Sequence, residues 1–555
     1  MKMLCRALAS CLLLSAAPAL AATPPPESVD KVFSDYGKDG PGCALAVVRD
    51  GAIVHSKGYG LASVEHGAPI TPQTVFDIGS TSKQITAAAI LLLGQDGKLS
   101  LDDDVRKHIP EMPDLGTPVT LRHLLHHTSG VRDYIELLQL GEISFEDVAT
   151  DDDALAALSR QKALDFRPGD EHNYSNSGYF LLSLVVKRAS GKTLREFAQE
   201  RIFTPLGMSS TQILDDHTLV IPRRAASYGP RGDGGFRLAI ANWEQTGDGA
   251  VQTTVEDLAK WDRNFYDPKV GGPALVEQLQ VKGVLNDGST IPYARGLVVN
   301  EYRGLRRVQH GGGWAGYRAE MIRFPDERLS VITLCNRGDA NPTAMAMQVA
   351  ELYLADRMKP AEPEPTAAAA TAAPSVTVDA ARYAGLFWNP ATGMVRRIVP
   401  RDGKLFYERG PGNETELAPL GENRFSLTGG PAEVLLPPGE MHVLIPGEKP
   451  AVFQKVEPFA PAPAELAAYA GTFYSDELDM TFKLSVEDGR LVLRTRRQHE
   501  PVPLDPIFAD AFRFPGGGPL LRFTRTGKDV NGFSMGNARA RNIDFTRTGF
   551  TRTGS

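Results

Sequence analysis

The chain has 555 residues, of which 42% are hydrophobic and 23% charged, and its 60 Lys and Arg against 67 Asp and Glu give a net charge of −7. That length exceeds what one hydrophobic core supports, so two to four domains are expected. The acidic balance argues against a general nucleic-acid binder, and no apolar run reaches the roughly 20 residues of a membrane-spanning helix.

In chain order, Lys2 and Arg6 precede a nearly unbroken apolar stretch from Ala7 to Ala17, and Ala19-Leu20-Ala21 is a small-x-small cleavage pattern. This reads as a secretory signal over residues 1–21, so the mature protein is expected to be secreted or periplasmic. Lipidation at Cys11 is the competing reading, weakened because the apolar stretch continues past that residue. Two cysteines remain beyond the signal, Cys43 and Cys335, each in an apolar strand-like run. They read as buried thiols, with one bridge open to them if their strands are neighbours, and no Cys/His spacing suggests a metal site.

Residues 42–61 read as a hairpin turning at Arg49-Asp50-Gly51. Helical patterns follow at Lys83–Leu93 and Gly178–Arg188. Strands return at Tyr317–Arg323 and Leu329–Leu334, and a helix pattern covers Thr343–Leu354. Strands at both ends with helices between predict one sheet built from the two termini of the domain and covered by helices.

Lys359–Pro374 is Pro, Glu, Ala and Thr after its first residue and reads as a linker. Beyond it the chain alternates as short strands and repeats itself. Tyr383-Ala-Gly-Leu-Phe387 returns as Tyr469-Ala-Gly-Thr-Phe473, and Asp402-Gly-Lys-Leu405 as Asp488-Gly-Arg-Leu491. Two matches in one register predict a duplicated unit, each copy closing as a small antiparallel barrel or sandwich.

The chemistry begins at Ser80-Thr-Ser-Lys83, opening an apolar helix. A serine in that first turn meets free backbone N–H groups and the positive end of the helix dipole. Lys83 lies one turn on, on the same face, where partial desolvation favours its neutral, basic form. Tyr174-Ser-Asn176 sits at a turn-to-helix position. There a phenol becomes a useful proton carrier if nearby cations lower its pKa, and the Asn176 amide can bond a substrate carbonyl or Lys83. His310-Gly311-Gly312-Gly313 precedes the strand at 317. Its glycines allow close backbone approach and free an N–H for an oxyanion hole.

These three motifs in this order resemble the penicillin-recognising serine hydrolases: class C β-lactamases, DD-peptidases, D-aminopeptidases and family VIII esterases. The segments Thr120–Gly130 and Gly249–Trp261 are also typical of that family. The resemblance implies an α+β architecture. A β-lactamase/transpeptidase-like domain, an antiparallel sheet flanked by helices, would occupy 27–358. A linker at 359–375 and two lipocalin-like β-barrels at 376–459 and 464–548 would follow, the layout of D-aminopeptidases, in which a barrel loop shapes access to the site.

Carried over, the resemblance makes Ser80 the nucleophile and Lys83 with Tyr174 the proton-transfer pair. The N–H groups of Ser80 and Gly313 would form the oxyanion hole, and Asn176, His310, Gly311 and Gly312 would hold substrate. His123, His126 and His127 suggest a metal cluster at first sight but read as helix packing and capping, and Trp261 as core. The third motif departs from Lys-Thr-Gly, because His310 replaces the lysine and Gly311 the hydroxyl residue. A substrate carboxylate then lacks a permanent cation unless the imidazole protonates, near or below pH about 6.5.

The expected function is hydrolysis, through an acyl-enzyme, of small peptides bearing an N-terminal D-amino acid. A carboxylesterase or weak β-lactamase is the alternative, and a non-catalytic sensor of cell-wall peptides the alternative of another class. Amides or esters are the expected partners, with no cofactor, nucleic acid or membrane span implied, and the oligomeric state is left open.

Overall fold

Alternation along one strand decides the layering of the first domain. In β1 (Cys43–Arg49) the side chains of Ala44, Ala46 and Val48 join a core with Ile85 and Ala89, while Cys43, Leu45 and Val47 join another with Val29, Met345 and Val349. Successive side chains of a strand point to opposite faces, so an all-apolar strand is covered on both sides. The computed structural model that shows this describes residues 24–360, 380–428, 430, 432–445, 449–497 and 500–549. The predicted signal and nearly all of the predicted linker lie outside the described residues.

The other strands are β2 (Ala52–Tyr59), β3 (Val298–Tyr302), β4 (Leu305–Trp314), β5 (Tyr317–Phe324) and β6 (Leu329–Cys335). They form one antiparallel sheet in the order β3-β4-β5-β6-β1-β2, built from the two ends of the domain as expected. Asp50 and Gly51 both have positive φ, 53° and 76°, the geometry of the tight hairpin turn joining β1 to β2. Helices α1 (Lys83–Gln95) and α2 (Asn176–Ser190) pack on one face of the sheet, and α3 (Pro342–Leu354) on the other.

One sequence reading changes. Cys43 and Cys335 sit opposite one another in the β1–β6 register and form a disulfide, so they are not free thiols. His310–Gly313 are the end of β4 itself, paired from His310↔Met321 to Gly313↔Arg318, because glycine removes side chains here without removing ladder bonds.

Eight strands from Gly385 to Val456 close into a barrel. Nine more, from Gly471 to Arg547, form a single antiparallel sheet. Its two edge strands, Val502–Pro503 and Asp505–Phe508, are separated in sequence by Leu504 alone, so the sheet curls nearly closed. The architecture is therefore the expected one, an α+β domain with an antiparallel sheet flanked by helices, followed by one closed and one nearly closed barrel.

The duplication is visible in side-chain chemistry too. Tyr383 packs on Phe425 and donates to Asn423 Oδ1 at 3.0 Å, while Tyr469 packs on Phe512 and donates to Asp510 Oδ1 at 2.8 Å. Asn423 and Asp510 both adopt left-handed φ, 59° and 60°, which short polar side chains tolerate.

The second barrel docks on the first domain through buried charge. Arg132 bonds Glu477 and Gln161 and lies 3.4 Å from Asp165, and all three ionic side chains are at most 4% exposed. No helix among the described residues is long and apolar enough to cross a membrane.

Candidate active site

A tight turn at Gly79–Ser82 feeds directly into α1. Asp77 Oδ1 accepts from the Gly79 N–H at 2.7 Å, and Thr81 Oγ1 donates to the His310 carbonyl at 3.1 Å, tying the turn to β4. The approach is too close for side chains. A Cβ on Gly312 would lie 1.9 Å from the Ile78 carbonyl oxygen, and one on Gly79 would lie 2.6 Å from the Gly313 nitrogen. These glycines bring the Gly313 backbone alongside Ser80.

Because α1 is buried from Lys83 to Leu93, it carries the Lys83 ammonium into the interior. Its Nζ reaches Ser80 Oγ at 3.0 Å, Asn176 Oδ1 at 2.9 Å and the Asp248 carbonyl at 2.7 Å. The last two groups can only accept. A neutral amine that donates to both therefore keeps its lone pair for the Ser80 hydroxyl proton. Burial pulls Lys83 below the usual lysine range. The charges of Asp248 and Asp133 work against that, and Arg539 adds to it. Ser82 serves structure, its Oγ accepting from the Val251 N–H at 3.2 Å.

Asn176 is held by Asp133, whose Oδ2 accepts from the Asn176 backbone N–H at 2.7 Å and from Nδ2 at 2.9 Å. This fixes which end of the amide faces Lys83. Tyr174 presents a partly exposed ring, but its hydroxyl is buried and has no partner within hydrogen-bond geometry among the described residues. The nearby Ser80 hydroxyl and Arg539 charge lower its pKa, yet burial wins and drives the phenol above its ordinary range. The sequence-level expectation of a cation-lowered phenol is corrected: desolvation outweighs the cations, and Tyr174 rests as a proton donor.

His310 is also corrected. It is 6% exposed, its Nε2 lies 3.0 Å from the Tyr293 hydroxyl and its Nδ1 2.6 Å from the Gly311 carbonyl. Nδ1–H donating to the carbonyl, with Nε2 accepting from Tyr293, satisfies a neutral ring completely. Burial, with repulsion from Lys83, takes its pKa down to about 4, so it does not become a cation near pH 6.

The three histidines of the Thr120–Gly130 segment are engaged in packing and capping. His123 and Thr120 form a capping box, His126 lies within hydrogen-bond distance of the Arg122 and Val281 carbonyls, and His127 accepts from the Ser175 N–H and packs on Tyr174 at 4.1 Å. Trp261 is buried and donates to Gln84 Oε1.

A cavity of about 470 Å³ gathers Ser80, Tyr174, Asn176 and His310–Gly313, with Lys83 beneath, and is completed by the apolar Ile135, Phe145 and Trp314. Three groups here escaped sequence reading: Asp133, Asp248 and Arg539. Asp248 accepts from the Tyr134 hydroxyl at 3.1 Å, and burial pushes its carboxyl up, with Lys83 opposing. Arg539 comes from the hairpin joining the strands Asp529–Asn537 and Ala540–Arg547 of the second barrel, its guanidinium 5.4 Å from the Tyr174 ring. None lies in a local pattern around the motifs, and only the turn composition Asn537-Ala-Arg-Ala540 signalled a hairpin tip.

Residues 29–355 match the protein family described as beta-lactamase. The chain is 32% identical over 370 residues to a D-aminopeptidase of Gluconobacter oxydans, covering 66% of this chain and 67% of that protein. It is 30% identical over 415 residues to penicillin-binding protein 4* of Bacillus subtilis, covering 72% and 90%. Among solved structures, the octameric penicillin-binding protein homologue from Pyrococcus abyssi superposes with a TM-score of 0.55 at 21% identity, covering 85% of this chain and 98% of that one.

Proposed function

The chain belongs to the beta-lactamase family, and from that premise we propose that this serine hydrolase cleaves small peptides and amides bearing an N-terminal D-amino acid. Ser80 Oγ attacks the scissile carbonyl while neutral Lys83 takes its proton. The N–H groups of Ser80 and Gly313 receive the oxyanion, and Tyr174 protonates the departing amine. Water then attacks the acyl-enzyme with the proton path reversed. Asn176 and His310 hold Lys83 and the substrate edge in place.

The observation that carries this reading is the 3.0 Å contact of buried Lys83 Nζ with Ser80 Oγ, the other two Nζ contacts being acceptors only. The D-aminopeptidase relative at 32% identity supports the substrate class. The penicillin-binding relative keeps an esterase or weak β-lactamase reading open to the same experiment. A pure sensor of cell-wall peptides would need none of the proton-transfer groups. We also propose export to the periplasm or beyond. The basic-apolar leader at residues 1–21 and the Cys43–Cys335 disulfide, a bond favoured in oxidising compartments, support it.

The test is a fluorophosphonate label located by mass spectrometry, with rates on D-alanine p-nitroanilide, p-nitrophenyl butyrate and nitrocefin. Adduct on Ser80, loss of turnover in Ser80→Ala and retention in Ser82→Ala are expected. An adduct on Ser82, or nitrocefin as the preferred substrate, defeats the proposal.

A further inference from the structure

The cavity above Ser80 contains a charge that the reaction described so far does not use. Among the described residues lining it, Arg539 is the one permanent cation, since Lys83 lies beneath the floor and His310 is neutral. Its guanidinium has no carboxylate partner among the described residues. Two carboxylates feel its charge, and both are engaged elsewhere: the oxygens of Asp133 accept from the N–H groups of Asn176 and Ile135, and Glu136 Oε2 accepts from Asn537 Nδ2.

The hairpin that delivers Arg539 is fastened to the first domain by its backbone. The Asp133 N–H donates to the Arg539 carbonyl at 2.8 Å, and Asn173 Nδ2 donates to the Ala538 carbonyl at 2.7 Å. Asn537 closes the turn by accepting from the Arg539 and Ala540 N–H groups, and its own Nδ2 reaches Glu136. The guanidinium is therefore presented from a fixed support, which lowers the ordering cost of binding an anion.

Position says which part of a substrate it meets. Arg539 lies over the ring of Tyr174, the residue assigned to protonate the departing amine, so its charge stands on the leaving-group side of the scissile bond. A planar fork of N–H donors there matches a carboxylate in charge and geometry.

We propose that Arg539 anchors a free carboxylate on the leaving group, so that the preferred substrates are short D-aminoacyl peptides with a free C-terminus close to the scissile bond, dipeptides above all. This rests on the acyl-enzyme reading of the preceding section and deepens it. The cation missing from the third motif is supplied by another domain, lining the same cavity.

The experiment compares kcat/KM for D-alanylglycine with that for D-alanylglycinamide, which differ only in the carboxylate. Wild-type protein should prefer the acid. Arg539→Ala should lower that acid-to-amide ratio about tenfold or more, Arg539→Lys should restore part of it, and Arg539→Glu should invert it. A misfolded fraction scales both rates equally and cancels in the ratio. A ratio in Arg539→Ala within about twofold of wild type overturns the proposal. The pair 3-carboxyphenyl butyrate and its methyl ester, run alongside, separates the two levels of argument. If only the esters turn over, the D-aminopeptidase reading falls and their ratio decides the role of Arg539. If wild-type protein turns over neither pair, both fall.

Discussion

Asp133 Oδ2 accepts from both the backbone and the side-chain nitrogen of Asn176, at 2.7 and 2.9 Å, and thereby turns Asn176 Oδ1 toward Lys83 Nζ. One buried carboxylate thus decides the orientation of an amide that would otherwise be free to offer its NH₂ to the lysine. Asp133→Asn places a second amide where two N–H groups need an acceptor. Leaving a buried donor unpaired costs about 1–3 kcal/mol, so kcat should fall about tenfold to a hundredfold. The rate of fluorophosphonate labelling of Ser80 should fall in parallel, a readout that lowered stability alone would not move. Wild-type labelling by a folded variant would show that Asn176 is oriented by other means.

Tyr174 gives a sharper separation of roles. Burial holds its phenol above the ordinary range, so it starts each cycle protonated and suits the leaving group better than the nucleophile. An amine must be protonated to depart, whereas p-nitrophenolate leaves unaided. Tyr174→Phe should therefore cost D-alanylglycinamide about 10² or more in kcat and p-nitrophenyl butyrate far less, while Lys83→Ala should suppress both. Equal losses on amide and activated ester in Tyr174→Phe would make the tyrosine part of the attack instead.

How much of this was legible before the structure follows from the range of the interactions. Ser80 and Lys83 announce themselves because they are three residues apart on one helix, and that spacing is a local fact. The sheet from two termini followed from two sets of apolar strands, and the barrel duplication from a repeated register that Tyr383 and Tyr469 now fill with the same contact. Asp133, Asp248 and Arg539 reach the site from a helix cap, a loop and another domain, and no local periodicity marks such residues. The protonation of Tyr174 and His310 was misread for one reason, that burial was left out: the phenol was judged by nearby cations and the imidazole by its unperturbed value, and desolvation overrides both. The Cys43–Cys335 bond needed strand register, which sequence left open.

The acid limb of the pH profile belongs to Lys83 coupled with Asp248. Activity needs neutral Lys83, so kcat/KM should rise with pH through an apparent pKa below that of free lysine. An ionised Asp248 raises that value. Asp248→Asn should therefore move the limb to lower pH, by up to about one unit. The backbone carbonyl that accepts from Lys83 stays in place in this variant, so the shift isolates the charge. A limb that stays put, or moves to higher pH, would show that Asp248 does not face Lys83 as an anion.

The last prediction concerns the third motif and acid pH. An ordinary imidazole at position 310 would gain charge on acidification to pH about 6 and would then draw in a β-lactam carboxylate. The ring found here is buried, has both nitrogens satisfied in its neutral form and is held down to about 4, below the range in which the enzyme would be assayed. Whatever affinity the cleft has for a carboxylate is therefore constant over that interval. The ratio of nitrocefin to p-nitrophenyl butyrate turnover should stay flat, within about twofold, between pH 8 and 6, although both rates fall as Lys83 protonates. Dividing one rate by the other removes that shared loss. A tenfold rise of the ratio at pH 6 would mean that His310 does take a proton there. The Tyr293 hydroxyl, now donating to Nε2, would then have to turn and accept from it.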